Sequence, residues 1–432
     1  MGRIKRLFKE RPMAAVFYTF MILAILYAGL IMLVRHGDLS TLLFLNKFDT
    51  FMDFFNCIRH VTYMDPYGPE IAGSYPAFAY AIFALLSRFF PREMLEACYS
   101  LQPELDKNRI VNEMLRVSEY GMAVYVVFTV FVMSVISYLF YKNFKGTEVE
   151  KILFLTVIFL SAPYLFWFER GNIISIALIG MAVFVFYRDS KNPYIRELAL
   201  ISLAISACVK IYPALLGILL LKDKRWKEAI RCVIYGILLF VLPFLLFKGG
   251  LQDILHMIQY IFKASGEFDV AGYGYKVNIS NSLLVMSELL HIKTPVLISI
   301  IGRVPYVIAI ISAVGVLFLK EKWKEIALLS CILVAVPNFS NIYTLVFMTV
   351  PLIMFLNETN HKRWIDWIYM FCFLGMFVPI VRGASGFFAS RLVTFFPVYL
   401  GAVIESWSLI IMMALLLIES FTNIVRRIRH AD

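Results

Sequence analysis

Long apolar runs separated by short basic segments dominate the pattern of the sequence. Residues 13–34 contain no charged side chain, and a helix of that length, rising about 1.5 Å per residue, spans a hydrocarbon core of about 30 Å. Comparable runs recur up to the C-terminal region. The pattern predicts an all-α polytopic membrane protein, with residues 1–432 forming a single transmembrane domain.

The basic segments predict how the chain is oriented. Lys and Arg cluster between the apolar runs, most densely at residues 222–231, and such clusters favour the cytoplasmic side of a membrane. Alternation then puts residues 35–119 and 248–296 outside, as two large extracytoplasmic loops. The first of these holds eight Lys and Arg against eleven Asp and Glu, so it lacks the cytoplasmic signature. The scheme predicts about twelve transmembrane helices in the plasma membrane, with both termini cytoplasmic.

Three segments do not fit this scheme as full spans. Residues 75–90 are apolar, but the alternation does not let them cross, so we expect a juxtamembrane helix on the outer surface. Residues 198–221 and 326–356 must each form a hairpin of short helices. Such broken helices are tolerated where they line a cavity or pack on protein. One merged helix in place of either hairpin is the alternative.

Composition agrees with this class and limits the partners. The chain is 61% hydrophobic and 16% charged, whereas soluble domains are about 45–50% apolar and about 25% charged. The net charge of +11 is explained by cytoplasmic basic residues, so we expect membrane lipid, and no nucleic acid, as a partner. Six scattered cysteines without a C-x-x-C pair indicate neither a zinc site nor a disulfide framework.

The first outer loop contains the most informative acidic residues. Asp49 and Asp53 are four residues apart and would share one face of a helix. Two carboxylates this close repel each other, which raises the proton affinity of one and suits it to act as a base. The phenylalanines around them would hold that helix at the membrane surface. A solvated acidic face on an interfacial helix is the alternative.

Ionisable residues also interrupt later apolar runs. Glu169, Arg170 and Lys210 lie where such residues are costly and usually functional. Arg170 and Lys210 lie at predicted outward breaks and are therefore candidates for binding a phosphate, with Lys276 and Arg382 as further candidates. The alternatives are that Arg170 and Lys210 extend to the membrane interface, or that Glu169 and Arg170 neutralise local partners.

The sequence lacks the motifs of proteins that bind soluble nucleotides. It contains no Walker loop, no G-x-G-x-x-G and no D-x-D pair, which argues against a nucleotide or a metal-bound nucleotide sugar as donor. We therefore expect no cofactor. A divalent metal is not required, although the acidic pair is able to recruit one.

The order of several short motifs resembles a known family of membrane enzymes. The motifs are Asp49, Asp65-Pro66-Tyr67, Tyr75-Pro76-Ala77-Phe78, Arg170-Gly171-Asn172, Lys210-Ile211-Tyr212-Pro213 and Asn281-Ser282-Leu283. This order is similar to the GT-C superfamily of membrane glycosyltransferases, and more narrowly to glycosyltransferase family 87, the polyprenyl-phosphate-mannose-dependent alpha-mannosyltransferases. Two positions depart from the family pattern. Ala77 stands where members often have a second proline, and Asn341-Ile342-Tyr343 lacks the histidine often found there.

The resemblance implies a GT-C-like helical bundle, with a cavity open to the outer leaflet beneath surface helices of the first outer loop. That loop would carry an essential aspartate, which Asp49 fits best by position, with Asp53 as the second candidate for the catalytic base. Other motif residues are the implied substrate-binding side chains. They are Asp65, Tyr67, Tyr75, Asn172, Tyr212, Asn281 and Tyr343.

Together these observations predict an inverting glycosyltransferase. It would move a hexose, mannose by the resemblance, from a polyprenyl-phosphate donor to a lipid or glycan acceptor at the outer face. One alternative is a flippase or transporter of lipid-linked sugars, which would need no base. The other is an envelope-glycan polymerase or ligase, which would use the same loop chemistry with a longer donor.

Overall fold

The predicted helical class is confirmed by a computed structural model. The structure describes residues 10–39, 42–43, 50–68, 73–100, 112–268, 274–292, 294–358, 363–380 and 400–429. In these ranges the regular structure is helical, apart from one isolated β-bridge between Lys276 and Asn341.

The α-helices of the described residues are numbered here in chain order. They are α1 Pro12–Val34, α2 Met52–His60, α3 Ala77–Ser87, α4 Arg92–Ser100, α5 Glu119–Asn143, α6 Glu148–Phe159, α7 Ala162–Arg170, α8 Ile174–Tyr187, α9 Pro193–Val209, α10 Ile218–Lys222, α11 Trp226–Val241, α12 Asp253–Phe268, α13 Ile279–Leu289, α14 Pro295–Val316, α15 Lys322–Ala335, α16 Thr349–Asn357, α17 Trp364–Phe377 and α18 Leu400–Arg429. Short 3₁₀ helices occupy Tyr212–Gly217, Leu242–Leu246, Gly250–Gln252 and Ile342–Met348, and Asn112–Arg116 forms a π-helical turn.

Several helices are long and apolar enough to cross a membrane. In the described part of the chain these are α1, α5, α11 with its continuation to Leu246, α14 and most of α18. The pair α6 and α7, bent by 55° at its break, forms a sixth candidate. The protein is therefore a multi-pass membrane protein. The count of about twelve crossings stays a prediction, because the other apolar helices are shorter than a full span.

The chain divides into two compact units, each built from separated stretches. Unit 1 comprises Met1–Leu45, Phe140–Phe166 and Glu267–Asp432, and unit 2 comprises Asn46–Leu139 and Trp167–Gly266. Two of the boundaries fall inside the predicted outer loops 35–119 and 248–296. The assignment of residues 1–432 to one domain stays a prediction.

Unit 1 contains the hairpin of residues 326–356. Helix α15 ends at Ala335, and the 3₁₀ helix Ile342–Met348 and α16 bring the chain back. Trp323, near the start of α15, therefore contacts Phe355, near the end of α16, with ring centroids 4.9 Å apart. Burial of α15 from Trp323 to Ala335 makes this helix the centre of the unit.

Unit 2 contains the hairpin of residues 198–221. Helix α9 ends at Val209 and the chain returns through α10, so that Asp223 lies 3.6 Å from Arg188 at the end of α8. Helices α8 and α9 pack closely, because a Cβ on Gly180 would lie 2.4 Å from the carbonyl oxygen of Ser202. The chain thus reverses at Lys210, as a hairpin and not as one merged helix.

The predicted helix around Asp49 and Asp53 begins later than expected. Helix α2 begins only at Met52, because Phe51 has a φ of 62° and adopts the left-handed conformation, so the two acids do not share a helix face. Phe54 and Phe55 are fully buried and pack on one another and on Tyr125. They pack α2 against other residues of unit 2, and its expected position at the membrane surface stays a prediction. Asp49 lies outside the described residues.

Helix α3 lies within the segment 75–90 that was expected on the outer surface. Its eleven residues extend about 16 Å, too short to cross a bilayer. Tyr80 and Phe83 are buried, and Phe83 makes an edge contact with Phe54 of α2 at 5.6 Å. The inner face of α3 is therefore part of the core of unit 2.

Candidate active site

Asp53 is the centre of a hydrogen-bonded group in unit 2. It lies in the first turn of α2. Arg170 Nη2 donates to its Oδ1 at 2.5 Å, and Asn172 Nδ2 donates to its Oδ2 at 2.7 Å. The side chains of Asp53 and Arg170 are only 15% and 16% exposed, so the ion pair is screened less than one at a protein surface. Two motifs 117 residues apart thus meet at one carboxylate.

Gly171 lets both of its neighbours reach Asp53. Its φ of +67° lies in the left-handed region, where L-residues are disfavoured. A Cβ at this position would also lie 2.9 Å from Phe54 Cβ and 3.0 Å from the ring of Tyr125. Glycine is therefore required here, and the chain reversal it allows explains the Arg-Gly-Asn spacing.

Backbone contacts fix the start of α2 against the end of α7. The Phe51 N–H donates to the carbonyl oxygen of Glu169 at 2.6 Å. The indole N–H of Trp167 donates to the carbonyl oxygen of Asn172 at 2.7 Å. These bonds hold the acid and its two donors at a set distance before any ligand binds, which is the preorganisation that catalytic sites need.

Tyr75 and Lys210 complete the group. Asn172 Nδ2 also donates to the hydroxyl of Tyr75 at 2.9 Å. The ammonium of Lys210 lies 4.2 Å from the ring centroid of Tyr75, within the range of a cation–π interaction. We call Asp53, Tyr75, Arg170, Asn172 and Lys210 the Asp53 cluster.

The Asp65-Pro66-Tyr67 motif supports Tyr75 from behind. The Tyr67 hydroxyl donates to the backbone carbonyl of Tyr75 at 2.7 Å. The ring of Tyr67 stacks on Phe244, with centroids 5.3 Å apart. Tyr67 therefore connects the segment that carries Tyr75 to the 3₁₀ helix Leu242–Leu246.

Asp65 acts on a second carboxylate, at the start of α12. Asp253 is 3% exposed, and its Oδ1 lies 3.4 Å from His256 Nδ1. Burial raises the pKa of Asp253, the hydrogen bond with His256 opposes that rise, and the charge of Asp65 adds to it. Asp65 thus lies within electrostatic range of Asp253, and its expected role in substrate binding stays a prediction.

The Asp53 cluster has more positive than negative charge. It contains two cations, Arg170 and Lys210, and one acid, and Lys210 lies within electrostatic range of Asp53. The arrangement is therefore suited to an anion that approaches Arg170 and Lys210.

An apolar groove begins next to Lys210. It is a cavity of about 570 Å³ between α9, α10 and α11, within unit 2. Cys208 and Ile211, which flank Lys210 in the sequence, both line it, as do Gly217 and Gly236. Neither glycine has an atom within 4 Å of the position of a Cβ, so the small residues keep the groove open.

Three of the predicted site residues that the structure describes, Lys276, Asn281 and Tyr343, belong to unit 1. Asn281 Nδ2 donates to the carbonyl oxygen of Lys276 at 3.3 Å, and its backbone N–H donates to Asn278 Oδ1 at 2.8 Å. The ring of Tyr343 is stacked 6.1 Å from that of Phe166. Asn281 helps to fold the turn before α13, and substrate binding by these residues stays a prediction.

The remaining predicted residues are placed only in part. Tyr212 opens the 3₁₀ helix that follows Lys210. Asp49 and Arg382 lie outside the described residues. In the ranges that the structure describes, no group of three or more His, Cys, Asp or Glu is placed to hold a metal ion.

Sequence reasoning missed two aromatic residues that shape the site. Trp167 holds the backbone of Asn172, and the Tyr125 hydroxyl donates to the carbonyl oxygen of Phe168. Both side chains are almost fully buried. Buried Trp and Tyr usually pair their polar hydrogens, so an aromatic residue beside the Arg-Gly-Asn motif was the available signal.

Comparison with known proteins identifies one family. The sequence model of glycosyltransferase family 87 matches residues 74–340, well over half of the chain. This range includes every member of the Asp53 cluster except Asp53 itself. No curated protein and no solved structure matches the chain.

Proposed function

The chain belongs to glycosyltransferase family 87, and on this premise we propose that it moves a hexose, mannose in the first instance, from a polyprenyl-phosphate donor to a lipid or glycan acceptor, with inversion at the anomeric carbon. The observation that carries the proposal is the pair of cations around Asp53, Arg170 and Lys210, together with an apolar groove lined by Cys208 and Ile211 on either side of Lys210 in the sequence. A phosphate that ends a long hydrocarbon chain matches both parts.

The cations serve the leaving group. As the acceptor oxygen attacks the anomeric carbon, the bond from that carbon to the phosphate oxygen breaks, and its electron pair stays on the phosphate. A monoanionic diester thereby becomes a dianionic monoester. Arg170 and Lys210 stabilise the added charge, which is the electrostatic effect that usually contributes most to such reactions. Lys276 and Arg382 remain reserve candidates for this role.

The two aspartates have different roles in this proposal. Both oxygens of Asp53 already accept hydrogen bonds, from Arg170 and Asn172, so Asp53 is suited to orient these two side chains. Asp49 would be the general base that takes the proton of the acceptor hydroxyl. Asp53 stays the alternative base, because a carboxylate retains further lone pairs after two bonds.

The groove would hold the first part of the donor's lipid chain. Its volume of about 570 Å³ lies within the range of about 300–1,000 Å³ that is typical of small-molecule sites. Because its lining is apolar and it begins beside Lys210, a phosphate at that cation directs the hydrocarbon into the groove. Donor recognition then needs no nucleotide site.

Substitution of each aspartate tests the catalytic assignment. Purified Asp49→Asn is expected to lose sugar transfer from a polyprenyl-phosphate sugar and to keep donor binding. Asp53→Asn is expected to weaken donor binding as well, because Arg170 loses its anchor. Unchanged turnover by Asp49→Asn would exclude Asp49 as base. Movement of the donor across proteoliposomes without transfer would favour a flippase instead.

The groove itself contains reporters for the donor. Cys208 and Cys232 both line it, whereas Cys331 is buried in α15 of unit 1. Saturating polyprenyl phosphate is expected to slow the labelling of the partly exposed Cys232 by an apolar maleimide at least tenfold, with an exposed cysteine introduced as Asn192→Cys as the internal reference. If saturating polyprenyl phosphate does not change the labelling rate, the lipid chain lies elsewhere.

A further inference from the structure

A second polar pocket lies in unit 1, at the end where α15 and α17 begin and α18 ends. Its volume is about 310 Å³. Cations on its walls are Lys320, Arg363 and Arg426, and apolar side chains are Ile365, Leu415 and Ile418. We call it the basic pocket. It shares no lining residue with the Asp53 cluster, and the sugar transfer makes no use of it.

A network of ion pairs builds one wall of the basic pocket. Lys324 is 1% exposed and donates to Glu321 and to Glu419, at 2.7 Å each. Arg363 donates to the same two acids at 3.1 Å each. The Tyr369 hydroxyl adds a further bond to Glu419 at 3.3 Å. A buried charge such as that of Lys324 persists when it is fully paired, so this wall is fixed, and its acids Glu321 and Glu419 are each paired with two cations.

The cations at the rim are different. Neither Lys320 nor Arg426 forms an ion pair with any described residue, and both side chains are exposed. Four cations, Lys320, Lys324, Arg363 and Arg426, face four acids, Glu321, Glu358, Asp366 and Glu419, so the positive charge of the basic pocket is confined to its rim. Three more basic residues stand at the same helix ends. They are Lys322, Arg427 and Arg429.

The position of the basic pocket at the end of a candidate membrane span favours a membrane surface as its environment. Helix α18 is a candidate span whose last turns carry the basic residues. Ile418 and Phe421 of this helix are 63% and 66% exposed, as expected for side chains that face acyl chains. Ile418 lies eight residues before Arg426, which is about 12 Å along the helix axis. Along α18 an apolar surface at Ile418 is therefore followed by a cationic surface at Arg426, at a distance that matches the length of a lipid headgroup with its glycerol.

We propose that the basic pocket binds the headgroup of an anionic phospholipid, with its acyl chains lying over Ile418 and Phe421. The phosphate would contact Lys320 and Arg426 at the rim. Anionic lipids are attracted to basic residues at the cytoplasmic ends of membrane helices, and the basic segments of this chain favour that side for this end of unit 1.

Lipid titration of the full-length protein tests the proposal. Purified protein in mixed micelles is titrated with dioleoyl phosphatidylglycerol, and the thermal midpoint and native mass spectra report stabilisation and bound lipid. Lys320→Gln with Arg426→Gln is expected to weaken the apparent affinity at least tenfold. Lys191→Gln with Lys227→Gln is the matched control, since it removes the same charge from exposed residues of unit 2 on the same predicted side of the membrane.

A second variant keeps the cations and blocks the basic pocket. Thr422→Trp, at an exposed position of its lining, is expected to prevent lipid binding while the protein folds normally. Equal losses in the test pair and the control pair would overturn the proposal in favour of general charge attraction. Equal stabilisation by phosphatidylcholine would overturn it as well, and so would full competition by inorganic phosphate.

Discussion

At the scale of single residues, Gly171 is a position where one added methyl group is expected to disturb the site. A left-handed conformation costs a non-glycine residue about 1–2 kcal/mol, and a Cβ here also meets Phe54 and Tyr125. Gly171→Ala is expected to lower the free energy of unfolding by about 2 kcal/mol or more and to abolish transfer. Thermal melts and a transfer assay measure both effects.

Gly29→Ala is the matched control for Gly171→Ala. Gly29 lies inside α1 with open space where a Cβ would project, and alanine favours a helix interior over glycine by about 1 kcal/mol. This variant should be as stable as the parent or more so. If Gly171→Ala behaved like Gly29→Ala, the turn would not determine the geometry of the site.

Tyr67 offers a milder test of how Tyr75 is held. Tyr67→Phe keeps the stacking on Phe244 and removes the hydrogen bond to the Tyr75 carbonyl, which is worth about 0.5–1.5 kcal/mol. A small decrease in the thermal midpoint with a severalfold lower transfer rate is expected. Tyr194→Phe, at a side chain 84% exposed, should change neither. A Tyr67→Phe variant as active as the parent would show that the hydrogen bond from Tyr67 to Tyr75 is not needed for transfer.

At the scale of elements, α11 presents one side of the groove through Gly236. Gly236→Leu fills open space and is expected to raise the KM for the donor at least tenfold with little effect on the thermal midpoint. Gly29→Leu, also in open space but in α1, should leave the KM unchanged. An unaltered KM in Gly236→Leu would separate the groove from donor binding.

Asp253 at the start of α12 is expected to make the stability of the folded protein depend on pH. Because the pKa of Asp253 is raised in the folded protein, the native state holds this proton more tightly than the unfolded state does. The stability linked to this group is therefore present at low pH and lost as the pH rises through the folded pKa. Asp253→Asn is expected to remove that loss, so that its thermal midpoint falls less than the parent's between pH 4 and pH 8. Glu93→Gln, a substitution at an exposed residue, should leave the dependence of the thermal midpoint on pH as it is in the parent.

The helices also show what the sequence could predict. Apolar runs and breaks give the helical class and the reversal at Lys210, because both depend on local composition. The start of α2 depends on Phe51, whose left-handed backbone is held by a hydrogen bond to Glu169. This hydrogen bond joins residues more than a hundred positions apart, so the four-residue spacing of Asp49 and Asp53 could not reveal it. For the same reason the pairing of Asp53 with Arg170 was not predicted, although each residue had been singled out alone.

At the scale of the whole molecule, orientation in the membrane is open to direct measurement. The basic segments predict residue 192 on the cytoplasmic side and residue 291 on the outer side. Both positions are exposed, and none of the six native cysteines is. In intact cells a membrane-impermeant maleimide should label His291→Cys and spare Asn192→Cys until the cells are opened. The reverse pattern would put the Asp53 cluster on the wrong side for an outer-face donor.

The interleaving of the two units bears on how the protein is made. Every residue of unit 2 precedes Glu267, whereas unit 1 needs its last stretch to be translated as well. Domains generally begin to fold as soon as their residues have left the ribosome. The groove and its cations are therefore assembled while the chain is still growing. Residues 140–166 are able to contact residues 1–45 at that stage, as in the Arg11–Glu150 ion pair, but complete their packing only after residues 267–432 have been synthesised.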